Sequence, residues 1–288
     1  MSVFDGPRRE IRRVIFRGSV HWASPVEGGL RLGDGRVVPE KDVQYLAPCR
    51  PSKILCVHVN YRSRYYEFTG KQEPPPTPTY FQKPLTALNV HGGELIRPAG
   101  YKFLNYEGEL AAVIGRVARN ITRDEVWDHL AGFTVANDVG LHDMRDTDQG
   151  SMLRVKGTDG FCPIGPGVVS GVDVRKSTLR SYRNGKLVQE GAIADMIFGI
   201  DYLIADLARH ITLEPGDIVL TGTPANSRPL DVGDTIEVEV TGIGRLGNRV
   251  VEVPAHRENI GHQPTDTPDV RRVALGNDER LDAKFRQA

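Results

Sequence analysis

Cysteine is scarce in this chain. Three cysteines, Cys49, Cys56 and Cys162, stand among 288 residues. No CxxC pair or histidine at zinc spacing accompanies them, so neither a disulfide framework nor a structural zinc site is indicated. Such sparse thiols fit a reducing, cytoplasmic setting, and each is read as a small buried apolar residue rather than a nucleophile. Long apolar runs are missing too: none approaches the roughly 20 residues that a spanning helix needs. The segment Met1-Ser-Val-Phe-Asp-Gly-Pro-Arg-Arg9 lacks the apolar core of a signal peptide. No membrane partner is therefore expected. Net charge is absent, because 37 Lys and Arg balance 37 Asp and Glu, and with it goes the basic footprint of a nucleic-acid binder. No GxSxG, HExxH or P-loop pattern occurs, which removes the common serine hydrolase, zinc protease and nucleotide hydrolase readings. Gly242-Ile-Gly-Arg-Leu-Gly247 matches GxGxxG but opens no helix, so it is read as a turn between two strands.

What is present suggests a β-rich α+β protein with a large core. Residues 1–48 read as a small N-terminal β unit of short strands broken by turns, 49–255 as the main domain, and 256–288 as a polar tail or an arm reaching a second copy. Ile54-Leu-Cys-Val-His-Val59 begins a buried strand. The loop from Phe68 to Pro78, rich in proline and charge, is too polar to pack and suits a mobile lid. Thr122-Arg-Asp-Glu125 fits a capping box opening a short helix through His129. Apolar residues at 193, 196, 197, 200, 203, 204, 207 and 211 keep helical spacing and predict an amphipathic helix over 193–211. Asn184-Gly185 between alternating segments signals a hairpin.

The most informative stretch is Tyr106-Glu-Gly-Glu-Leu-Ala-Ala-Val-Ile-Gly115, answered by Val135-Ala-Asn-Asp-Val139. On a strand, Glu107 and Glu109 project to one face, with Gly108 leaving room on the other. Neighbouring carboxylates repel unless something positive lies between them. A divalent cation satisfies that need, with Asp138 as a third ligand, and three oxygen donors suit Mg²⁺ or Mn²⁺. A solvated strand end, or pairing with arginines, is the competing reading of the same spacing.

Several separated motifs agree in order with one family: Asn60-Tyr61, Phe81-Gln-Lys-Pro84, Tyr106-Glu-Gly-Glu-Leu110, Gly132-Phe-Thr-Val-Ala-Asn-Asp138, Arg154-Val-Lys-Gly157, Cys162-Pro-Ile-Gly-Pro166, Pro215-Gly-Asp217 and Leu220-Thr-Gly-Thr-Pro224. Over about residues 50–254 the chain resembles the fumarylacetoacetate hydrolase superfamily, most of all its homoprotocatechuate-pathway isomerase/decarboxylase branch. The resemblance implies a mixed β-sandwich roll, a homodimer, and chemistry on a small-molecule 2-oxo acid or its enol in aromatic catabolism. It also implies Glu107, Glu109 and Asp138 as metal ligands, Lys156 at the substrate, and the Thr221-Gly-Thr223-Pro224 turn, with Tyr61 of the Asn-Tyr motif, on the substrate side.

Two departures stand out. Many members carry Asn-Tyr-x-x-His-x-x-Glu, whose His–Glu pair activates a water. Here Arg64 takes the histidine position beside the matching Glu67, and a guanidinium stays protonated near neutral pH. Arg64 could pair with Glu67 or bind a second substrate carboxylate. His142 stands where the family usually has arginine, and is open to readings as a base or as a structural histidine, while His58 reads as structural. Isomerisation and decarboxylation both pass through a metal-stabilised enolate and need no attacking water, whereas acylpyruvate hydrolysis does. The expectation is therefore a metal-dependent isomerase/decarboxylase with Glu67 as proton carrier. A C–C hydrolase using His142, or a non-catalytic metal-binding member, remains the alternative. Arginines 62, 64, 145 and 154 hint at a dicarboxylic substrate.

Overall fold

The computed structural model describes residues 2–285. Two sheets organise the chain. The larger has twelve strands, ten of them in the order Val37–Val38, Gly29–Leu32, Ser19–Val26, Arg9–Phe16, Cys162–Ser170, Leu130–Asn137, Gly108–Ile114, Ile218–Leu220, Ile54–Val57 and Tyr80–Lys83. The second runs Lys186–Ala192, Thr178–Arg183, Thr235–Val240, Gly244–Val253, Glu94–Pro98. Parallel and antiparallel pairs mix in both. This is the mixed, β-rich α+β sandwich expected. The N-terminal strands continue the large sheet through Arg9–Phe16, which pairs antiparallel with Cys162–Ser170.

The main core lies between the sheets, where Leu110, Ala112, Phe133 and Val135 meet Leu179, Val238 and Leu246. A second core on the other face of the large sheet gathers Ala111, Val113, Ala136, Ile218, Leu220, Phe81 and Ile164. The central strands are buried on both faces, so they read as continuous apolar runs rather than alternations.

The Asn184-Gly185 turn forms as predicted, with both residues at positive φ (51° and 78°) between Thr178–Arg183 and Lys186–Ala192. The 242–247 glycines turn into strand Gly244–Val253 and open no helix. The long helix is shorter than its spacing predicted. Ile193–Asp195 forms a single 3₁₀ turn, Gly199 caps the α-helix, and the helix covers Ile200–His210. Tyr61 bridges to Met196 at backbone level, which holds the 193–199 segment out of the helix. The Thr122–Glu125 box forms its hydrogen bonds (Thr122 N and Oγ1 to Glu125 Oε2, 2.8 and 2.9 Å) ahead of a helix confined to Val126–His129.

Two further helices frame the site. Arg62–Thr69 ends in Gly70, whose φ of 70° closes it in a left-handed cap. Beyond Pro254, Thr267 caps Pro268–Leu275 by accepting from Val270 N, and this helix buries Val270, Val273 and Ala274 against the body. No helix among the described residues is long and apolar enough to cross a membrane.

Candidate metal centre and its cavity

Strand period explains how three carboxylates meet. In Gly108–Ile114 the even residues Leu110, Ala112 and Ile114 enter the core between the sheets, and the odd Ala111 and Val113 enter the other. Glu107 and Glu109 therefore share the Ala111 side. Leu130–Asn137 pairs antiparallel, setting Glu109 opposite Ala136. Ala136 faces the same side, so Asp138, two residues on, arrives beside both glutamates. One carboxylate oxygen from each of the three lies within 4.8 Å of the others. A Cβ on Gly108 would stand 2.3 Å from Ser181 Oγ and 2.9 Å from Val238 Cγ1. The close approach of the second sheet thus requires glycine between the two glutamates.

Two lysines offset the clustered charge. Lys156 Nζ donates to Glu107 Oε2 and to the Asp138 carbonyl, both at 2.6 Å, and lies 3.0 Å from Asp138 Oδ2. Lys83 is fully buried and donates to Asp138 Oδ1 and to the Phe161 carbonyl, the latter at 2.6 Å. Burial opposes the Lys156 charge, but Asp138 and Glu107 outweigh it and hold the ammonium above its ordinary pKa. Burial opposes ionisation of Glu107 as well, yet Lys156 and Arg64 hold its carboxyl below the usual range.

Glu109 differs from both. The lysine ion pairs go to Glu107 and Asp138, while among the described residues Glu109 Oε2 accepts only the Gly222 N–H, at 2.6 Å. Gly222 adopts φ +98°, and a Cβ there would meet Asn60 Cβ at 2.7 Å; glycine is what lets this amide turn toward the carboxylate. Burial first, and the Asp138 charge second, push the Glu109 carboxyl well above its ordinary pKa. A buried, under-neutralised carboxylate among three converging oxygen donors fits a hard divalent cation, with Glu107, Glu109 and Asp138 as its ligands.

The triad opens into a cavity of about 250 Å³. Its lining brings together His58, Arg64, His142, Arg145, Lys156 and Thr223 of the residues singled out from sequence, and adds Phe68 and Val273. Thr223 Oγ1 accepts from Gln189 Nε2 at 3.1 Å. His58 hydrogen-bonds Thr79 Oγ1 through Nδ1 (2.9 Å) and packs on Phe81. His142 is 2% exposed, and neither ring nitrogen has a hydrogen-bond partner among the described residues. Burial, reinforced by Lys156, Arg145 and Arg64, holds its pKa well below the ordinary histidine value.

Five residues singled out from sequence lie outside the lining: the exposed Arg62 and Arg154, and the buried Tyr61, Thr221 and Glu67. Tyr61 is fully buried in the main core. Thr221 Oγ1 donates to the Leu110 carbonyl (2.7 Å). Glu67 is clamped away from the cavity: Arg64 Nη1 reaches its Oε2 at 2.8 Å, Arg228 Nη1 its Oε1 at 2.7 Å, and Asn226 N its Oε2 at 3.1 Å. Arg64 spends its other arm on Glu107 Oε1 at 3.3 Å. The arginine in the histidine position thus ties Glu67 to the triad as a cross-brace.

Lys83 escaped sequence reasoning although a signal existed. In strand Tyr80–Lys83 the buried positions alternate, and Lys83 falls on the same inward face as Phe81. A lysine in that register needs a buried anion, and Asp138 is that anion.

Residues 53–251 match the family Fumarylacetoacetate (FAA) hydrolase C-terminal. Over 201 residues the chain is 40% identical to the 4-hydroxyphenylacetate degradation bifunctional isomerase/decarboxylase of Salmonella dublin, spanning 69% of this chain and 46% of that protein. The chain thus accounts for about half the length of that relative. The 5-carboxymethyl-2-hydroxymuconate delta-isomerase of Mycobacterium smegmatis superposes with a TM-score of 0.77 at 33% identity, over 85% of this chain and 99% of the other. The 2-hydroxyhepta-2,4-diene-1,7-dioate isomerase of Mycobacterium marinum gives 0.76 at 34% identity, over 85% and 98%. With the sandwich, the carboxylate triad and these similarities in agreement, the chain belongs to the fumarylacetoacetate hydrolase family.

Proposed function

We propose that the protein is an isomerase or decarboxylase dependent on Mg²⁺ or Mn²⁺, acting on a 2-oxo acid or 2-hydroxydienoate that carries a second carboxylate. The observation that carries this reading is the Glu107, Glu109 and Asp138 cluster with the Lys156 ammonium wedged against it at the cavity wall. When bound, the cation supplies Lewis-acid polarisation of the substrate's keto and carboxylate oxygens.

The chain's own residues supply the rest. Lys156 holds a fixed positive charge beside the triad, where it stabilises a developing enolate oxygen. Its charge survives burial because two carboxylates flank it. Arg64 cannot take up a proton, and its partner Glu67 is committed to three hydrogen bonds. Water activation by that pair has no support in this geometry, which favours chemistry without an attacking water. The bifunctional isomerase/decarboxylase relative and the two isomerase structures point the same way.

The test is proton NMR of the purified protein with oxaloacetate, an acylpyruvate and an unsaturated 2-hydroxydienoate dicarboxylate, in Mg²⁺ and in EDTA. Metal-dependent loss of CO₂ or double-bond migration is the expected result. Acylpyruvate cleavage instead would favour a second reading, a C–C hydrolase, whose one supporting observation is the cavity-lining His142 ring with both nitrogens unengaged. In that case His142→Ala would lose cleavage while still binding metal.

A further inference from the structure

The four arginines near the site differ sharply in what they already hold. Arg62 is exposed on the first turn of its helix. Arg154 is exposed and pairs with Asp148 at 2.9 Å. Arg64 is buried and shared between Glu67 and Glu107. Arg145 alone lines the cavity without a carboxylate within ion-pair distance among the described residues. Its guanidinium lies over the Phe68 ring, 5.8 Å from the centroid, and Arg272 stacks on the same ring at 4.9 Å. The acidic group that acts on it most, Asp269, is taken by Arg272 at 2.6 Å.

A guanidinium partly withdrawn from water, beside a second arginine and with no anion of its own, is unfavourable unless something negative joins it. Burial does lower the Arg145 pKa, the direction expected for such a group. A second, independent feature points into the same space. His142, three residues earlier and 2% exposed, presents a ring with no partner on either nitrogen among the described residues. One buried nitrogen of a neutral imidazole must carry a proton, and that N–H needs an acceptor. The 3₁₀ turn His142–Met144 runs directly into helix Arg145–Asp148, so the two side chains are delivered by one rigid corner. Arg145 is half-buried, and it lines the same cavity as the triad, of which Glu109 and Asp138 are 2% exposed.

We propose that Arg145 and His142 form the receptor for the distal carboxylate of the substrate, making the protein selective for dianionic 2-oxo acids over those with a single carboxylate. This rests on the functional reading above, in which the 2-oxo acid end lies at the triad. It assigns His142 to hydrogen-bond donation rather than to proton abstraction, and identifies Arg145, not Arg64, as the guanidinium that meets substrate. Phe68 lies beside the guanidinium, whose paired N–H groups suit a two-point contact with a carboxylate.

Calorimetric titration of the Mg²⁺-loaded protein separates the possibilities. The probes are 2-oxoglutarate and 2-oxoadipate, their one-carboxylate counterparts 2-oxopentanoate and 2-oxohexanoate, and oxalate, which reports the triad alone. In the wild type at least one diacid should bind about tenfold to hundredfold more tightly than its counterpart, the range expected for a charged hydrogen-bonded contact. Arg145→Met should abolish that preference and leave oxalate affinity within about twofold; Arg145→Lys should restore part of it, and Arg62→Met should change nothing. Oxalate binding without diacid preference at either length, or a preference that survives Arg145→Met, overturns the subsite and leaves the functional reading standing. Failure of every probe, oxalate included, overturns the functional reading and the subsite with it.

Discussion

Replacing Glu109 by glutamine should stabilise the metal-free protein and remove most of the stabilisation that Mg²⁺ gives. The triad oxygens lie within 4.8 Å of one another, so each like-charged pair repels by at least about 3.5 kcal/mol at an effective dielectric constant near 20. Lys156 and Lys83 direct their charge to Glu107 and Asp138, leaving Glu109 least compensated. Its carboxyl is pushed up by burial and by Asp138. A carboxyl whose folded-state pKa is raised stabilises the fold while protonated, and that contribution is lost as pH rises through the raised value. In EDTA, Glu109→Gln keeps an oxygen to accept the Gly222 N–H and removes the charge. Allowing for the partial offset by the lysines, the variant should gain about 1–3 kcal/mol at neutral pH, or roughly 2–6 °C in melting temperature for a chain of this size. The wild type should lose stability from about pH 5 upward more steeply than the variant.

Mg²⁺ should act in the opposite sense. At a hundredfold excess over its dissociation constant it stabilises the wild type by about 2.7 kcal/mol, and the variant, short of one charged ligand, by far less. The assay is differential scanning calorimetry of both proteins in EDTA and in Mg²⁺ across pH 5 to 8. A variant that melts below wild type in EDTA, or that gains as much from Mg²⁺, would refute the placement of Glu109 as an uncompensated ligand.

Glu67→Gln should cost about 1–3 kcal/mol in denaturant unfolding, because it removes the charge that Arg64 and Arg228 share while Glu107 and Asp278 still hold their other arms; turnover lost with unfolding unchanged would instead make Glu67 a proton carrier. Val273→Ala, at a cavity-lining position 2% exposed, should lower stability by about 1–3 kcal/mol and raise amide exchange across Pro268–Leu275 by mass spectrometry. The Cys49 and Cys162 thiols are pushed up to about 12 by burial, and Cys56 well above its ordinary value. At pH 8 about one thiol in ten thousand is then ionised, so iodoacetamide should leave the native protein unmodified and label it only after unfolding.

Local periodicity made the acidic pair legible, because a strand alternates faces whatever surrounds it. The hairpin at Asn184-Gly185 was equally local, since only a few residue types accept its positive φ angles. The 193–211 helix overshot because apolar spacing cannot tell a helix from a 3₁₀ turn followed by an extended segment when both bury the same residues. Helix Arg62–Thr69 left no apolar stripe to find: its inward residues are Arg64 and Glu67, buried as an ion pair instead of as hydrocarbon. The helix at Pro268–Leu275 was missed inside the segment read as a polar tail, although Thr267 before Pro268 is a capping residue ahead of a proline in the first turn.

The family resemblance marked Lys156 and Arg64, whereas chain-local chemistry singled out a candidate ligand set: two glutamates on one strand face and an aspartate ending another strand. Those properties depend on side-chain type and on spacing of a few residues, so they survive without knowledge of the fold. Pairing across long separations decided the rest. Lys83 and Asp138 are 55 residues apart, and Glu67 and Arg228 are 161 apart. Only the packed sheets determine that one buried lysine finds the triad, that Glu67 is withheld from the cavity, and that Arg145 is left with an unclaimed charge. Burial and electrostatic compensation belong to the surroundings of a side chain, and those surroundings exist only once the chain has folded.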